Sequence, residues 1–116
     1  MPAANVPVIQ GVAGGTPLPV DTGAGGSATG STTSVASSAT DVTILALNST
    51  RLGAAVFNDS TAILYLLVAA GTSSTTNYTV QLPPNAYYEV PAGYVGVLKG
   101  LWASAVGSAR CTEWTA

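Results

Sequence analysis

The chain contains no histidine, one cysteine and very few charged residues. Without histidine it has no imidazole base, no histidine metal ligand and no side-chain switch near neutral pH. A single cysteine excludes an internal disulfide and any multi-cysteine zinc site. Only 3 of the 116 residues are Lys or Arg, which is too few to neutralise a run of phosphates. We therefore expect no nucleic-acid partner and no metal site.

Long apolar runs are also missing. The longest one covers residues 62–70, whereas a helix that crosses a bilayer needs about 20 apolar residues. The first ten residues, MPAANVPVIQ, contain two prolines and no Lys or Arg, which is not the pattern of a secretory signal. We expect a protein that is made without an export signal and does not span a membrane.

Small residues dominate what is present. Ala, Gly, Ser and Thr make up half of the chain, and 7 Pro and 13 Gly interrupt it. The β-branched residues Thr and Val favour strands, and no useful window shows a period of 3.6 residues. The length fits one domain. The composition thus predicts an all-β domain with almost no helix.

The chain changes character near residue 40. Residues 1–40 form a Pro-, Gly-, Ser- and Thr-rich segment with one charge, Asp21, and no aromatic residue. It contains two apolar pieces, Val6-Pro7-Val8-Ile9 and Pro17-Leu18-Pro19-Val20. Alternating prolines fix φ and remove N–H donors, so the second piece is predicted to be extended and cannot lie centrally in a sheet. Residues 22–33 read as a flexible linker.

Two interpretations of this segment remain open. It is either a disordered tail or an arm that becomes ordered along a neighbouring subunit. The apolar pieces favour the arm. The residues expected to contact a partner are Val6, Val8, Ile9, Leu18 and Val20.

Residues 41–116 contain all eight aromatic residues and seven of the eight charges. Turn formers such as Pro83-Pro84-Asn85 and Pro91-Ala92-Gly93 separate short β-type runs. Strands are predicted at residues 42–47, 54–57, 63–68, 78–82, 87–90, 95–103 and 110–114. Seven strands with this spacing predict a single antiparallel β-sandwich or small barrel preceded by an extended N-terminal arm.

Two predicted strands are apolar on both faces. They are residues 63–68, and the segment from Tyr94 to Trp102, in which Tyr94, Leu98 and Trp102 share one face. Each is either a central strand whose outer face the arm covers, or part of a subunit interface. The low charge of the chain favours an oligomer.

Motifs for catalysis are weak. Cys111 follows Arg110, whose charge could lower a thiol pKa, but a small strand residue is the simpler interpretation. The five carboxylates, at positions 21, 41, 59, 89 and 113, form no pair in sequence. Residues 23–28 fit G-x-G-x-x-A with Asp41 downstream, yet no strand and helix flank them, so we treat this match as chance. We expect neither an enzyme nor a cofactor.

The aromatic residues leave one further alternative. Tyr and Trp side chains can form a stacking platform for sugars, but they also fill cores and interfaces. A sugar site needs clustered acids or amides as well, and the acids of this chain are scattered. The aromatic residues concerned are Tyr65, Tyr78, Tyr87, Tyr88, Tyr94, Trp102 and Trp114.

Three patterns in the second part of the chain point to a family. They are R-x-G-A-x-x-x-N-D-S-T-A-x-L-Y at residues 51–65, Y-E-V-P-x-G-Y at residues 88–94 and G-x-W-A at residues 100–103. In this order they resemble small virion structural proteins of tailed bacteriophages. Val8-Ile9-Gln10-Gly11 and residues 17–21 are similar to the N-terminal arms of such proteins. The resemblance covers residues 41–116 well and residues 1–40 loosely.

This resemblance implies a capsid decoration (cement) protein, made in the host cytoplasm and located on the outer capsid surface of the virion. The expected partners are the major capsid protein and further copies of the chain, with a homotrimer favoured. The alternative is a phage spike or a tail-fibre or baseplate domain that binds host-surface carbohydrate.

Overall fold

Eight β-strands form between residues 29 and 116, the part of the chain that this computed structural model describes. No helix is present among these residues. The strands are β1 (Thr29–Ala36), β2 (Val42–Leu45), β3 (Arg51–Asp59), β4 (Leu64–Leu67), β5 (Val80–Leu82), β6 (Tyr87–Val90), β7 (Leu98–Trp102) and β8 (Ser108–Thr115).

The strands build two antiparallel sheets of four strands each. Sheet A has the order β1-β8-β3-β6 and sheet B the order β2-β7-β4-β5. The two sheets pack face to face as a sandwich, which confirms the predicted fold class. The last strand, β8, lies inside sheet A and pairs with both β1 and β3.

The additional strand is β1, which begins inside the segment predicted to be a linker. Residues 22–33 do not all form a linker, because residues from Thr29 onward pair with β8. Seven of the eight residues of β1 are exposed, so the alternating burial that helps to predict other strands from sequence is absent here. Backbone hydrogen bonds to the neighbouring strand β8 hold this strand in place, and amino-acid composition does little to predict such bonds.

Sheet B explains the two runs that are apolar on both faces. Strands β4 and β7 are its two inner strands, and Leu64, Leu66, Leu98 and Trp102 point into the sandwich. The side chains on the opposite face include Leu67 and Leu101, which are also buried. Both runs therefore contain an inner strand of sheet B.

Residues 68–79 cover that outer face within the described part of the chain. Thr79 N donates to Leu66 O over 2.7 Å at one end of this segment. Further along, Ser73 N donates to Asp41 Oδ1 over 2.8 Å, and Lys99 Nζ lies 3.1 Å from Asp41 Oδ2. The segment thus crosses from β4 towards the β2 edge. Residues 1–28 of the arm, to which the sequence assigned a covering role, lie outside the described residues.

The strand predicted at residues 95–103 begins only at Leu98. The reason is that the carbonyl groups of residues 94–96 accept hydrogen bonds from groups outside sheet B. The Arg51 guanidinium donates to Tyr94 O over 3.3 Å and to Gly96 O over 2.7 Å. Val95 O accepts a 2.9 Å hydrogen bond from Asn48 N. Tyr94 accordingly packs against the core from a loop rather than from a strand.

Two turns follow the residues that predicted them. Ala86 N donates to Pro83 O over 3.0 Å, with Asn85 at φ 64°. Tyr94 N donates to Pro91 O over 3.2 Å, with Gly93 at φ 89°. Both turns have at their third position a residue that tolerates positive φ, as a type II turn requires.

Candidate functional site

The β1 edge of sheet A, formed by residues Thr29–Ala36, is the most exposed piece of regular backbone in the described residues. Its pairing with β8 runs without a bulge from Thr29↔Thr115 to Ala36↔Ser108. The strand contains no charged residue and no proline. Among the described residues, no strand lies on its other side.

The other three sheet edges carry features that discourage a further strand. Strand β6 has four residues and includes Glu89. The pairing of β2 with β7 has an irregularity between Thr43 and Leu45. Strand β5 has three residues and is followed directly by two prolines. Short length, charge, bulges and proline are common ways to protect an edge, and β1 uses none of them.

Next to this edge lies the outer face of sheet A. Trp114 of β8 occupies the space between two glycines, because a Cβ atom at Gly30 would lie 3.1 Å from its ring and one at Gly53 3.6 Å. The indole is 38% exposed. Ala55 and Phe57 of β3 continue the apolar surface towards β6. The glycines on both flanks therefore allow the indole to lie flat against the sheet.

Tyr87 ends this surface on β6. Its side chain is 56% exposed, and its hydroxyl donates to Glu89 Oε2 over 2.9 Å. This hydrogen bond to the carboxylate raises the pKa of the Tyr87 hydroxyl above its usual value. An exposed ring beside a carboxylate is an arrangement that can bind a sugar, since the ring stacks and the oxygens accept hydrogen bonds.

The other aromatic residues are distributed over different places. Trp102 is buried, and Tyr88 and Tyr94 pack against the core. Tyr65 and Tyr78 form an edge-to-face pair with ring centroids 5.2 Å apart on sheet B. The structure thus does not bring the seven predicted aromatic residues into one platform.

Each of the three cations pairs with a carboxylate. Arg51 Nε lies 2.6 Å from Glu113 Oε2, and the other two pairs are Lys99 with Asp41 and Arg110 with Asp59. The first pair is buried at its arginine, whereas Arg110 and Asp59 are both largely exposed. The described domain therefore keeps all three cations in internal pairs rather than as docking charges.

Arg51 and Asn58 are buried polar residues whose roles the sequence did not reveal. Arg51 binds Glu113 and three backbone carbonyls, of Ala46, Tyr94 and Gly96. It therefore fastens one end of the sandwich. An arginine at a strand start gives no sequence signal of burial, so only its place in the R-x-G-A pattern drew attention to it.

Asn58 fastens the opposite end. Its Nδ2 donates to Ala62 O and to Leu82 O, both over 2.8 Å. Its Oδ1 accepts from Ser60 Oγ over 2.7 Å and from Trp102 Nε1 over 3.1 Å. It is a fully buried amide that connects β3 to the following loop, to β5 and to β7.

Beside this end lies an open cleft of about 540 Å³. Its only carboxylate, Asp59, already accepts a 2.9 Å hydrogen bond from Arg110. Gly107 closes one side at φ 78°, where a Cβ atom would collide with Asp59 O. The cleft is lined by Asp59, Ser60, Thr61, Pro84, Asn85, Val106 and Gly107.

The residues considered as candidates for catalysis are either buried or bound to neighbouring side chains. Cys111 is buried, and burial together with the nearby Glu113 raises its pKa to about 11, so Arg110 does not activate it. Asp41 binds Ser73 and Lys99. In the described residues no three His, Cys, Asp or Glu side chains gather as a metal site.

The predicted partner contacts Val6, Val8, Ile9, Leu18 and Val20 lie outside the described residues, as does the G-x-G-x-x-A match. The part of the chain that the structure describes includes no helix that could cross a membrane. Comparisons with protein-family models, with curated proteins and with solved structures find no significant match to this chain.

Proposed function

We propose that this chain is a structural virion protein of a tailed bacteriophage, a decoration or cement protein that binds the major capsid shell. The observation that supports this most is the junction at Thr29. There the part of the predicted arm that contains the two apolar pieces leads directly into an uncharged and exposed sheet edge. A rigid domain joined to an apolar arm suits a protein that attaches to an existing surface.

The mechanism is attachment by backbone pairing and apolar packing. The sandwich sits on the outer face of the shell, and the arm crosses to the capsid protein or to a neighbouring copy. Strand addition supplies hydrogen bonds, and the side chains of Val6, Val8, Ile9, Leu18 and Val20 supply apolar contact. The added interface between capsomers opposes the outward pressure of packaged DNA.

The charge distribution supports this mode of attachment. All three cations are already paired within the domain, so the contact depends little on charge. Apolar and backbone contacts are screened less by salt than charge pairs are. We expect binding to particles to change little between low and moderate salt.

The test is the copy number of the protein in purified particles, measured by quantitative mass spectrometry. The variant Val8→Asp/Ile9→Asp places charge in the arm, and Ala24→Asp/Ala28→Asp adds the same charge in the Gly-rich part as a control. We expect hundreds of copies for the parent and the control, and a loss of at least about tenfold for the arm variant. A few copies confined to the tail or vertices would rule out the decoration role.

The second candidate is a spike, tail-fibre or baseplate domain that binds host-surface carbohydrate. The exposed Tyr87 ring beside Glu89 favours it. Glycan-array binding that disappears in Tyr87→Ala and persists in Tyr78→Ala would favour this function over the first.

A further inference from the structure

We propose that residues 16–20 of one copy add as a fifth strand to the β1 edge of a neighbouring copy. This inference rests on the proposed function, because it names the partner of two predicted arm contacts, Leu18 and Val20. The acceptor is strand β1, which the structure describes. The donor is residues 16–20, whose two prolines limit which backbone N–H groups can form hydrogen bonds.

The acceptor is the backbone of β1 from Gly30 to Ala36. In an antiparallel ladder, alternate residues direct both N–H and C=O to the same neighbour. Between Gly30 and Ala36, the residues that do not face β8 in this way direct their groups to the side of β1 on which no described strand lies. Seven of the eight residues of the strand are exposed and none is charged, so neither burial by the described residues nor charge repulsion blocks an incoming strand.

The donor is Thr16-Pro17-Leu18-Pro19-Val20. In an extended chain the N–H groups alternate between two sides, and proline has none. The N–H groups of Thr16, Leu18 and Val20 therefore share one side, and the prolines occupy the other. This side can form about six hydrogen bonds to an edge, two for each of the three residues.

The opposite side of the added strand cannot pair with another strand in the usual register. Pro17 and Pro19 leave it without N–H donors, which is why proline is found at the outermost strand of a sheet. Addition therefore stops after one strand. The same five residues would both cover the unprotected edge and prevent uncontrolled growth.

A neighbouring copy, rather than the same chain, is the partner that the linker length favours. Eight residues, 21–28, separate the donor from the start of β1. Hairpin loops are usually two to five residues long, so a hairpin onto the chain's own β1 would be unusually wide. Extended, the eight residues span up to about 28 Å, which reaches an adjacent domain.

Each copy then offers one arm and one edge, so the contact is head to tail. Contacts of this type close into a ring when the rotation between copies allows it. The expected homotrimer is one such ring. Low net charge on the chain, −2, keeps repulsion between the copies small.

Crosslinking of the full chain tests this placement. The variant Leu18→Cys/Thr32→Cys receives a short bis-maleimide, and the native Cys111 stays protected by burial. The control is Leu18→Cys/Gln81→Cys, with its second thiol on the β5 edge of sheet B. We expect covalent dimers and trimers for the first variant, and at least about tenfold fewer for the control.

A backbone variant identifies the contact as strand addition. The background is a second cysteine pair, Thr16→Cys/Thr32→Cys. Adding Leu18→Pro/Val20→Pro removes two of the three N–H donors and should lower the crosslinking yield about tenfold. Pro17→Ala/Pro19→Ala in the same background keeps all three donors and should retain the yield. Equal yields for both would contradict strand addition.

Two outcomes of the first crosslinking experiment would also overturn the inference. Crosslinks confined within single chains would place the arm on its own β1. Equal multimer yields for the β1 and β5 pairs would show that the arm does not select this edge. The particle copy number reports the proposed function separately, because Val8→Asp/Ile9→Asp leaves residues 16–20 intact. Failure of one measurement therefore does not imply failure of the other.

Discussion

Trp102 Nε1 donates a 3.1 Å hydrogen bond to Asn58 Oδ1 in a place that almost no solvent reaches. The bond joins sheet B to sheet A, since Trp102 belongs to β7 and Asn58 to β3. It satisfies the polar atom of the largest buried side chain with an amide that also binds the carbonyls of Ala62 and Leu82. A sandwich with few charges thus relies on one neutral amide to align its sheets at this end.

Asn58→Ala should be among the most destabilising substitutions in the domain. It removes the acceptor of the Trp102 N–H and one donor to each of the carbonyls of Ala62 and Leu82. We expect a loss of about 3 kcal/mol in the free energy of unfolding, measured by urea denaturation. Asn77→Ala, which removes an exposed hydrogen bond to Thr72 O, is the control and should cost under about 1 kcal/mol.

Glu113→Gln should destabilise the domain by about 3 kcal/mol, because it leaves the buried Arg51 guanidinium without its counter-charge. The matched control is Asp59→Asn, which breaks the exposed pair with Arg110 and should cost under about 1 kcal/mol. Thermal and urea denaturation of both variants measure the difference. Similar losses for the two would contradict the assigned importance of the buried pair.

Asp41 should contribute a stability that acid removes. Burial alone would raise the pKa of its carboxyl, but hydrogen bonds from Ser73 and Lys99 outweigh it and hold the pKa below the usual 3.8. The contribution is therefore complete above the unfolded value, near pH 3.8, and is lost as the pH falls through the lower folded value. Urea midpoints of the parent and Asp41→Asn should differ at about pH 6 and converge towards about pH 2.

Cys111 should be unreactive in the folded protein. Its pKa of about 11 leaves roughly one thiolate in a thousand at pH 8, and its side chain is buried. We expect modification by a thiol reagent to be at least about a hundredfold slower than in 8 M urea, where the same cysteine serves as its own control. Rapid labelling without denaturant would show that β8 opens readily.

The N-terminal boundary of the stable domain should lie at residue 29. A chain of residues 29–116 keeps every described strand, whereas residues 41–116 lack β1 and expose β8 as a new edge. We expect the longer chain to unfold cooperatively near the parent midpoint, and the shorter one to be less stable and to aggregate. Circular dichroism and sedimentation velocity measure both properties. Equal behaviour would show that β1 contributes nothing to the fold.

Apolar patterning and turn chemistry predicted most of this fold. The runs at residues 63–68 and 87–90 contain apolar or aromatic residues between clear turn formers, and both became strands. The Pro83-Pro84-Asn85 turn formed for the same local reason. What the sequence could not reveal depends on distant partners. Strand β1 is held by β8, and residues 94–97 are held by Arg51, so no local pattern marks either of them.

The site was predicted less well than the fold for a related reason. Whether a strand lies at an exposed edge depends on the order of the strands in the sheet. The sequence of a single strand does not determine that order. The sequence located apolar residues in the arm, but it could not identify β1 as an open edge. The buried roles of Asn58 and Arg51 likewise depend on carbonyl groups that are far away along the chain, those of Leu82 and Tyr94.

The position of β8 determines when this domain can fold during its synthesis. Strand β8 is the last of the eight described strands to leave the ribosome, yet it lies between β1 and β3, which are made earlier. Sheet A therefore cannot close until β8 has emerged, and its pairs join residues as far apart as Thr29 and Thr115. Such long-range pairing makes folding slow. Until then the nascent chain carries strands whose backbone groups lack their sheet partners.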